Sequence, residues 1–196
     1  MSNEWDSWKE HGITSNTPDS ILFGAGTIHS GLEYGTSGWN FNSSLIGATN
    51  GGSKLSIKPE VQDIELDGKF VKAKGLMLKV GESATMEINF AELKPELIKK
   101  SVFAEEGTSD ATGFTMLESK PDIEAGDYFT NFAFVGRTVS GKPIIVIFDS
   151  AICTSGFEVD AKHKEQGNPV ITVECVDDLE TGDLKTLPYH IYYPEG

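Results

Sequence analysis

The sequence predicts a mainly β protein: a β-sandwich or partial barrel with one flanking α-helix and one long extended loop. Three observations carry this. First, Leu76, Leu78, Val80, Ala84, Met86, Ile88 and Phe90 all fall on even positions, with only Glu82 out of character, while Lys79, Ser83, Thr85, Glu87 and Asn89 form a polar opposite face. A period of two means a strand with one dry and one wet side. Second, short apolar runs separated by turn residues continue along the chain, which has 21 Gly and 8 Pro in 196 residues. Third, a single stretch, about Glu92 to Phe103, has helical spacing, with Pro95 in its first turn and Leu93, Leu97, Ile98 and Val102 on one face. Many short strands and one helix around a shared core describe a sandwich or barrel.

In chain order, residues 1–19 are polar apart from Trp5 and Trp8 and lack periodicity, so they are expected to form an arm. Residues 20–196 are expected to form one domain. Ile21 to Ser30 is a short strand, and Gly31 to Ser44 a loop carrying Trp39 and Phe41. Leu55, Ile57 and Val61 share one parity and Ile64 and Leu66 the other, a one-residue slip that predicts a β-bulge near Gln62 and Asp63. Leu66 to Gly75 has two glycines and three lysines around Phe70 and Val71 and no core of its own, and the segment Asp63 to Lys79 around it is expected to order only by docking. Glu105 to Thr112 is an acidic loop and Phe114 to Leu117 a short strand. Tyr128 to Thr138 is a long aromatic strand. Ser140-Gly141 turns into Ile144 to Phe148, apolar on both faces and hence central. Ser155 to Asp160 and Val170 to Val176 alternate as strands, Asp177 to Thr186 is an acidic loop, and Tyr189 to Tyr193 closes the chain.

The formal net charge is −14, and Arg137 is the sole arginine. Such a surface repels nucleic acid and anionic membranes. No apolar run approaches the roughly 20 residues of a membrane span, and the first residues lack the basic and apolar regions of a secretory signal. The chain is therefore expected to stay in a cytoplasm, with Cys153 and Cys175 as reduced core thiols.

Catalytic patterns fail on inspection. Gly136-Arg137-Thr138-Val139-Ser140-Gly141-Lys142-Pro143 matches a phosphate-binding loop except at its last position. Pro143 has no hydroxyl for magnesium, and a strand follows where the motif needs a helix, so a hairpin turn is expected. Gly24-x-Gly26 is followed by His29 where a dinucleotide fingerprint needs glycine. His11, His29, His163 and His190 have no ligand spacing, and the acidic loops lack the order of a calcium loop. No enzyme activity, metal or cofactor is expected.

The chain resembles the major tail tube proteins of long-tailed bacteriophages. The resemblance lies in Leu45 to Gly75 (LIGATNGG, KLSIKPEVQDIELDG, VKAKG), in TMEINFAELKPELIKKSV and in FVGRTVSGKPIIVIF through PYHIYYPEG. It implies a β-sandwich whose copies form hexameric rings, the inner strands joining into one continuous barrel. Rings stack into a hollow tube around the tape measure protein, between tail tip and tail terminator proteins, and DNA later passes through without specific binding. Related tubes occur in contractile tails, tailocins and type VI secretion. Location in the virion tail follows, with assembly in the host bacterial cytoplasm and no membrane partner. In that setting Asp63, Ile64, Glu65, Leu66, Asp67, Lys69, Phe70, Val71, Lys72 and Lys74 form the loop expected to dock on the adjacent ring. Thr85, Glu87 and Asn89 are expected to face the lumen, and Trp5 and Trp8 to dock the arm. The alternative is a carbohydrate- or ligand-binding β-sandwich with Trp39, Phe41 and nearby tyrosines as a stacking platform.

Overall fold

The alternation around Ala84 to Phe90 is realised as a fourteen-residue strand. The computed structural model describes residues 11–195; Trp5 and Trp8, the proposed anchors of the arm, lie outside the described residues. In order, the elements are α1 (Thr17–Ser20), β1 (Leu22–His29), β2 (Tyr34–Gly35), β3 (Gly38–Trp39), α2 (Phe41–Ser44), β4 (Leu45–Gly47), β5 (Thr49–Asp63) and β6 (Met77–Phe90). Then follow α3 (Pro95–Ser101), β7 (Ala104–Gly107), β8 (Met116–Ser119), a 3-10 turn at Ala125–Asp127, β9 (Phe129–Thr138), β10 (Pro143–Cys153), β11 (Glu158–Val159), β12 (Pro169–Cys175) and β13 (Tyr189–Tyr192).

Nine strands form one antiparallel sheet, ordered β4-β1-β9-β10-β12-β6-β5, with β11 beside β12 and β13 beside β10. The two ends of that path, β4 and β5, are joined through Ala48, so the sheet curls back on itself as a partial barrel. The protein is mainly β, as its alternation predicts. Its concave side holds the main core: Met86, Ile88 and Phe90 from β6, Phe132 and Phe134 from β9, Phe148 from β10 and Ile171 and Val173 from β12, with Leu97 from α3. A second, smaller core of Leu32, Ala133, Ile145 and Ile147 lies on the other face of β9 and β10, under Trp39 and Phe41. Residues apolar on both faces of β10 thus meet a core on each side, which is why Ile144 to Phe148 is a continuous apolar run.

Several expectations need correction. The helix is seven residues rather than twelve. Lys94 precedes a proline and is extended (φ −102°, ψ 138°), since a following proline disfavours helical backbone. Phe103 at φ 50° ends any continuation. Leu97 is buried, but Leu93 and Val102 are half exposed. The loop over residues 31–44 contains the β2–β3 hairpin and α2, and the strand expected over residues 155–160 shrinks to β11. The acidic stretch from Glu105 begins inside β7, and the short strand expected from Phe114 starts at Met116. The register slip lies between Glu60 and Val61, which face Gly81 and Lys79, so the extra residue is Val80 on the partner strand. Glycines 24 and 26, at φ 92° and 71°, belong to a bulge: four steps of β1 from Phe23 to Thr27 face two of β9.

The β9–β10 connection is a tight turn. The Thr138 N–H donates to Lys142 O at 2.9 Å, and Gly141 takes φ 92°. The end of the N-terminal segment fastens to this turn: Ser140 N–H donates to Pro18 O at 3.2 Å. β12 and β13 lie end to end along one edge of β10, pairing with residues 151–153 and 145–148. Residues 176–188 are an excursion within what is in effect one strand along β10. The two cysteines are buried and free, and burial pushes the Cys175 thiol up to about 12.

Candidate functional site

The β5–β6 hairpin is the longest pairing in the molecule and outruns the layer that could cover it. β12 pairs β6 from Asn89 to Thr85, where Glu174 is the last partner, yet β6 continues to Met77 opposite Asp63. The change in burial follows. Ala84, Met86, Ile88 and Phe90 are buried, whereas Leu78 and Val80, on the same parity, are half exposed. The periodicity predicts one dry face for the whole strand. Only its second half has a core to meet.

Beyond the strands, residues 64–76 form the hairpin's end. Asp63, one of the ten residues expected in the loop, is instead the last residue of β5. The end is fastened internally. Lys69 Nζ lies 2.5 Å from Asp63 Oδ1 and donates to Ile64 O at 2.6 Å, while Ile64 N–H donates to Leu76 O at 2.8 Å. Those bonds hold a loop whose apolar side chains point into water. Phe70 is 96% exposed, Val71 75% and Leu66 56%. Glu65, Asp67, Lys72 and Lys74 are exposed beside them. At the base, Glu82 donates no apolar surface but closes the joint. Its carboxylate accepts from Lys79 Nζ at 2.7 Å and from Tyr189 OH at 3.0 Å. The lysine bond first, and the tyrosine with it, holds that carboxyl below the usual range.

Thr85, Glu87 and Asn89 lie on the face of β6 away from the main core. Thr85 faces Ser56 and Glu174, Glu87 faces Lys54 and Thr172, and Asn89 donates to Gly52 O at 3.1 Å. Directly opposed residues share a face, so Lys54 and Lys58 stand with Glu60, Glu87, Glu158 and Glu174, two positive and four negative charges on one polar surface. The pairing thus adds lysines that the period-two pattern in β6 alone does not reveal.

Among the lengths of backbone edge with no strand partner in the described residues are residues 22–27 of β1 away from β9, and β5 away from β6.

The loop aromatics are gathered by the second core. Trp39 stacks on Phe41 (6.2 Å between centroids) and meets Tyr34 (5.2 Å) and Tyr192 (4.9 Å) edge to face. Phe41 also caps His29, which is buried: Thr27 Oγ1 and Ser44 Oγ each lie 2.9 Å from its ring nitrogens. The Ser44 hydroxyl also lies 3.0 Å from Asn40 O. Burial lowers the His29 pKa from its ordinary 6.5.

Among the described residues no helix is long and apolar enough to cross a membrane, and no group of three or more His, Cys, Asp or Glu side chains is placed to hold a metal ion. No protein-family model matches the chain, and no curated protein matches it significantly in sequence.

Proposed function

We propose that this chain is the structural subunit of a tail tube of the long-tailed phage type. Its copies close into rings, six to a ring. The rings stack into a hollow conduit around a tape measure protein, between tip and terminator proteins, and DNA passes through without specific binding. Its place of action is the virion tail, after assembly in a bacterial cytoplasm.

The observation that carries this reading is the overhanging β5–β6 hairpin. A two-stranded ribbon is marginal on its own in water, and this one is apolar at residues that none of the described residues covers. Fixing backbone costs about 1–2 kcal/mol per residue, so an ordered ribbon of this length fits best with a second surface above it. The unpaired edges of β1 and β5 support lateral closure, because a free edge is a template for another strand and a ring leaves none exposed. The mixed but net acidic face of β6 suits a wall along which a polyanion slides, since affinity for DNA grows with the number of phosphates neutralised.

Negative-stain microscopy and light scattering over a concentration series test the reading. Wild-type protein is expected to give rings and tubes, and replacing residues 64–76 by a short Gly-Ser turn is expected to leave a folded subunit that forms no tubes. A monomer at every concentration, with or without a nucleating tail tip, overturns the proposal, as do normal tubes from the shortened variant.

A further inference from the structure

One concavity, separate from the hairpin and the open edges, combines exposed aromatic rings with convergent polar groups. It lies on the outer face of β9 and β10 over the second core. Leu32 and Ile147, both buried, form its floor. Tyr34, Trp39 and Tyr192 line it as one contiguous aromatic wall, Trp39 meeting both tyrosines edge to face. Glu33, Asn131, Asp149 and His190 stand around its mouth. Its volume is about 440 Å³, inside the roughly 300–1,000 Å³ of small-ligand sites.

We propose that this cleft binds a neutral saccharide, with the C–H face of a pyranose ring against Tyr34 and Tyr192 and its hydroxyls held by Asp149, Glu33 and Asn131. The simplest competing account is that the aromatics merely seal the small core. It explains Trp39 and Phe41, which pack on Ile145 and Ile147. It leaves Tyr34, 71% exposed, and the outer side of Tyr192 without a role. A ring left in water but fixed against a tryptophan is a contact surface prepared in advance.

The wall is rigid for reasons visible in its backbone. Asn40 cross-braces the β2–β3 hairpin: its Nδ2 donates to Gly31 O at 2.9 Å, its Oδ1 accepts from Glu33 N–H at 2.8 Å, and its own N–H donates to Glu33 O at 3.1 Å. Asn131 sits within β9 at φ 46°. Left-handed backbone is costly for most residues, and asparagine tolerates it best after glycine. That conformation lets Asn131 accept Leu32 N–H on its carbonyl at 3.2 Å and direct its amide to Glu33 Oε1 at 3.4 Å. A preordered site spends less of its binding energy on ordering itself.

The polar set selects the ligand class. A hydroxyl both donates and accepts, and so does this rim. Asp149 and Glu33 accept, the Asn131 amide and the tyrosine hydroxyls do both, and His190 lies 3.0 Å from Asp149. Among the described residues no lysine or arginine lines the cleft, which disfavours an anion. A simple amine cation needs acceptors alone, and both carboxylates here already engage a neighbour, Asp149 with His190 and Glu33 with Asn131.

The test is calorimetric titration of the full chain with neutral oligomers of glucose, galactose, N-acetylglucosamine and N-acetylgalactosamine. Choline serves as the cation probe and sialic acid as the anion probe. Saturable binding of at least one neutral oligomer is expected. Tyr34→Ala and Asp149→Asn are each expected to weaken it about tenfold or more at unchanged thermal stability, while Phe114→Ala, on an exposed side chain elsewhere, leaves it unaltered. Failure of every neutral oligomer at millimolar concentration overturns the inference. So does binding that survives both cleft substitutions, or a preference for choline or sialic acid. The result is independent of assembly: tubes without saccharide binding sink this inference alone, and a saccharide-binding monomer sinks the tube reading alone.

Discussion

Phe70 offers the sharpest division between folding and assembly. At 96% exposure its ring does almost nothing for its own subunit, so Phe70→Ala should leave stability within about 0.5 kcal/mol, the usual range for surface substitutions. That is about 1–2 °C in the melting temperature of a chain of this size. Its effect on stacking should be large. Covering one such side chain contributes roughly 1.5–3 kcal/mol, and Phe70 falls in the upper part because nearly all of it is uncovered. Val61, Leu66, Phe70, Val71, Met77, Leu78 and Val80 are each about half or more exposed. Together they amount to about four whole side chains, or roughly 6–13 kcal/mol per hairpin if covered. Association costs on the order of 4–15 kcal/mol, so a single hairpin docking on a single subunit is marginal. A ring docking on a ring meets that cost once while several hairpins engage. Losing about 2–3 kcal/mol at each hairpin weakens each contact about 30- to 150-fold, and in a ring the losses accumulate. The assay pairs a thermal melt with light scattering and microscopy over a concentration series. Tubes from Phe70→Ala at the wild-type concentration would refute the reasoning about stacking. A melting temperature lower by many degrees would refute the reasoning about the subunit.

Three further expectations follow from the structure. Gly26→Ala places a Cβ against the Phe134 ring and 2.9 Å from Val135 O at a φ of 71°; crowding and left-handed strain together should cost about 2–4 kcal/mol, and a melting temperature within about 2 °C of wild type would contradict it. His29 has a folded-state pKa lowered by burial, so the unfolded chain takes up the proton first as pH falls: its contribution to stability is complete above about pH 6.5 and is lost as pH falls toward the folded-state value. Chemical denaturation at a series of pH values should therefore show a shallower loss for His29→Gln than for wild type, and parallel curves would refute this. Glu87→Lys removes the net negative charge of a face with two lysines and four glutamates; tubes should still form, but DNA passage in the mutant virion should slow, most at low salt, where screening is weakest. Ejection at the wild-type rate at every salt concentration would count against a lumen position.

The sheet was legible because burial and alternation agree wherever two layers meet. Ala84 to Phe90 is the clear case: each even residue is buried because β12 lies alongside and the main core lies beneath. Below Ala84 the same alternation carries no information about burial, since it describes the strand but not where the neighbouring layer stops. The helix was overdrawn for a related reason. Leu93 and Val102 continue the apolar spacing, but the proline at 95 and the left-handed Phe103 decide where helical backbone ends. The aromatic cleft was half legible. Trp39 and Phe41 stand out in a polar loop, whereas Tyr192 reaches Trp39 only because β13 aligns Tyr192 with Ile145. Asn131 and Asp149 join through the register of β9 and β10. Long-range register is not written in any local pattern.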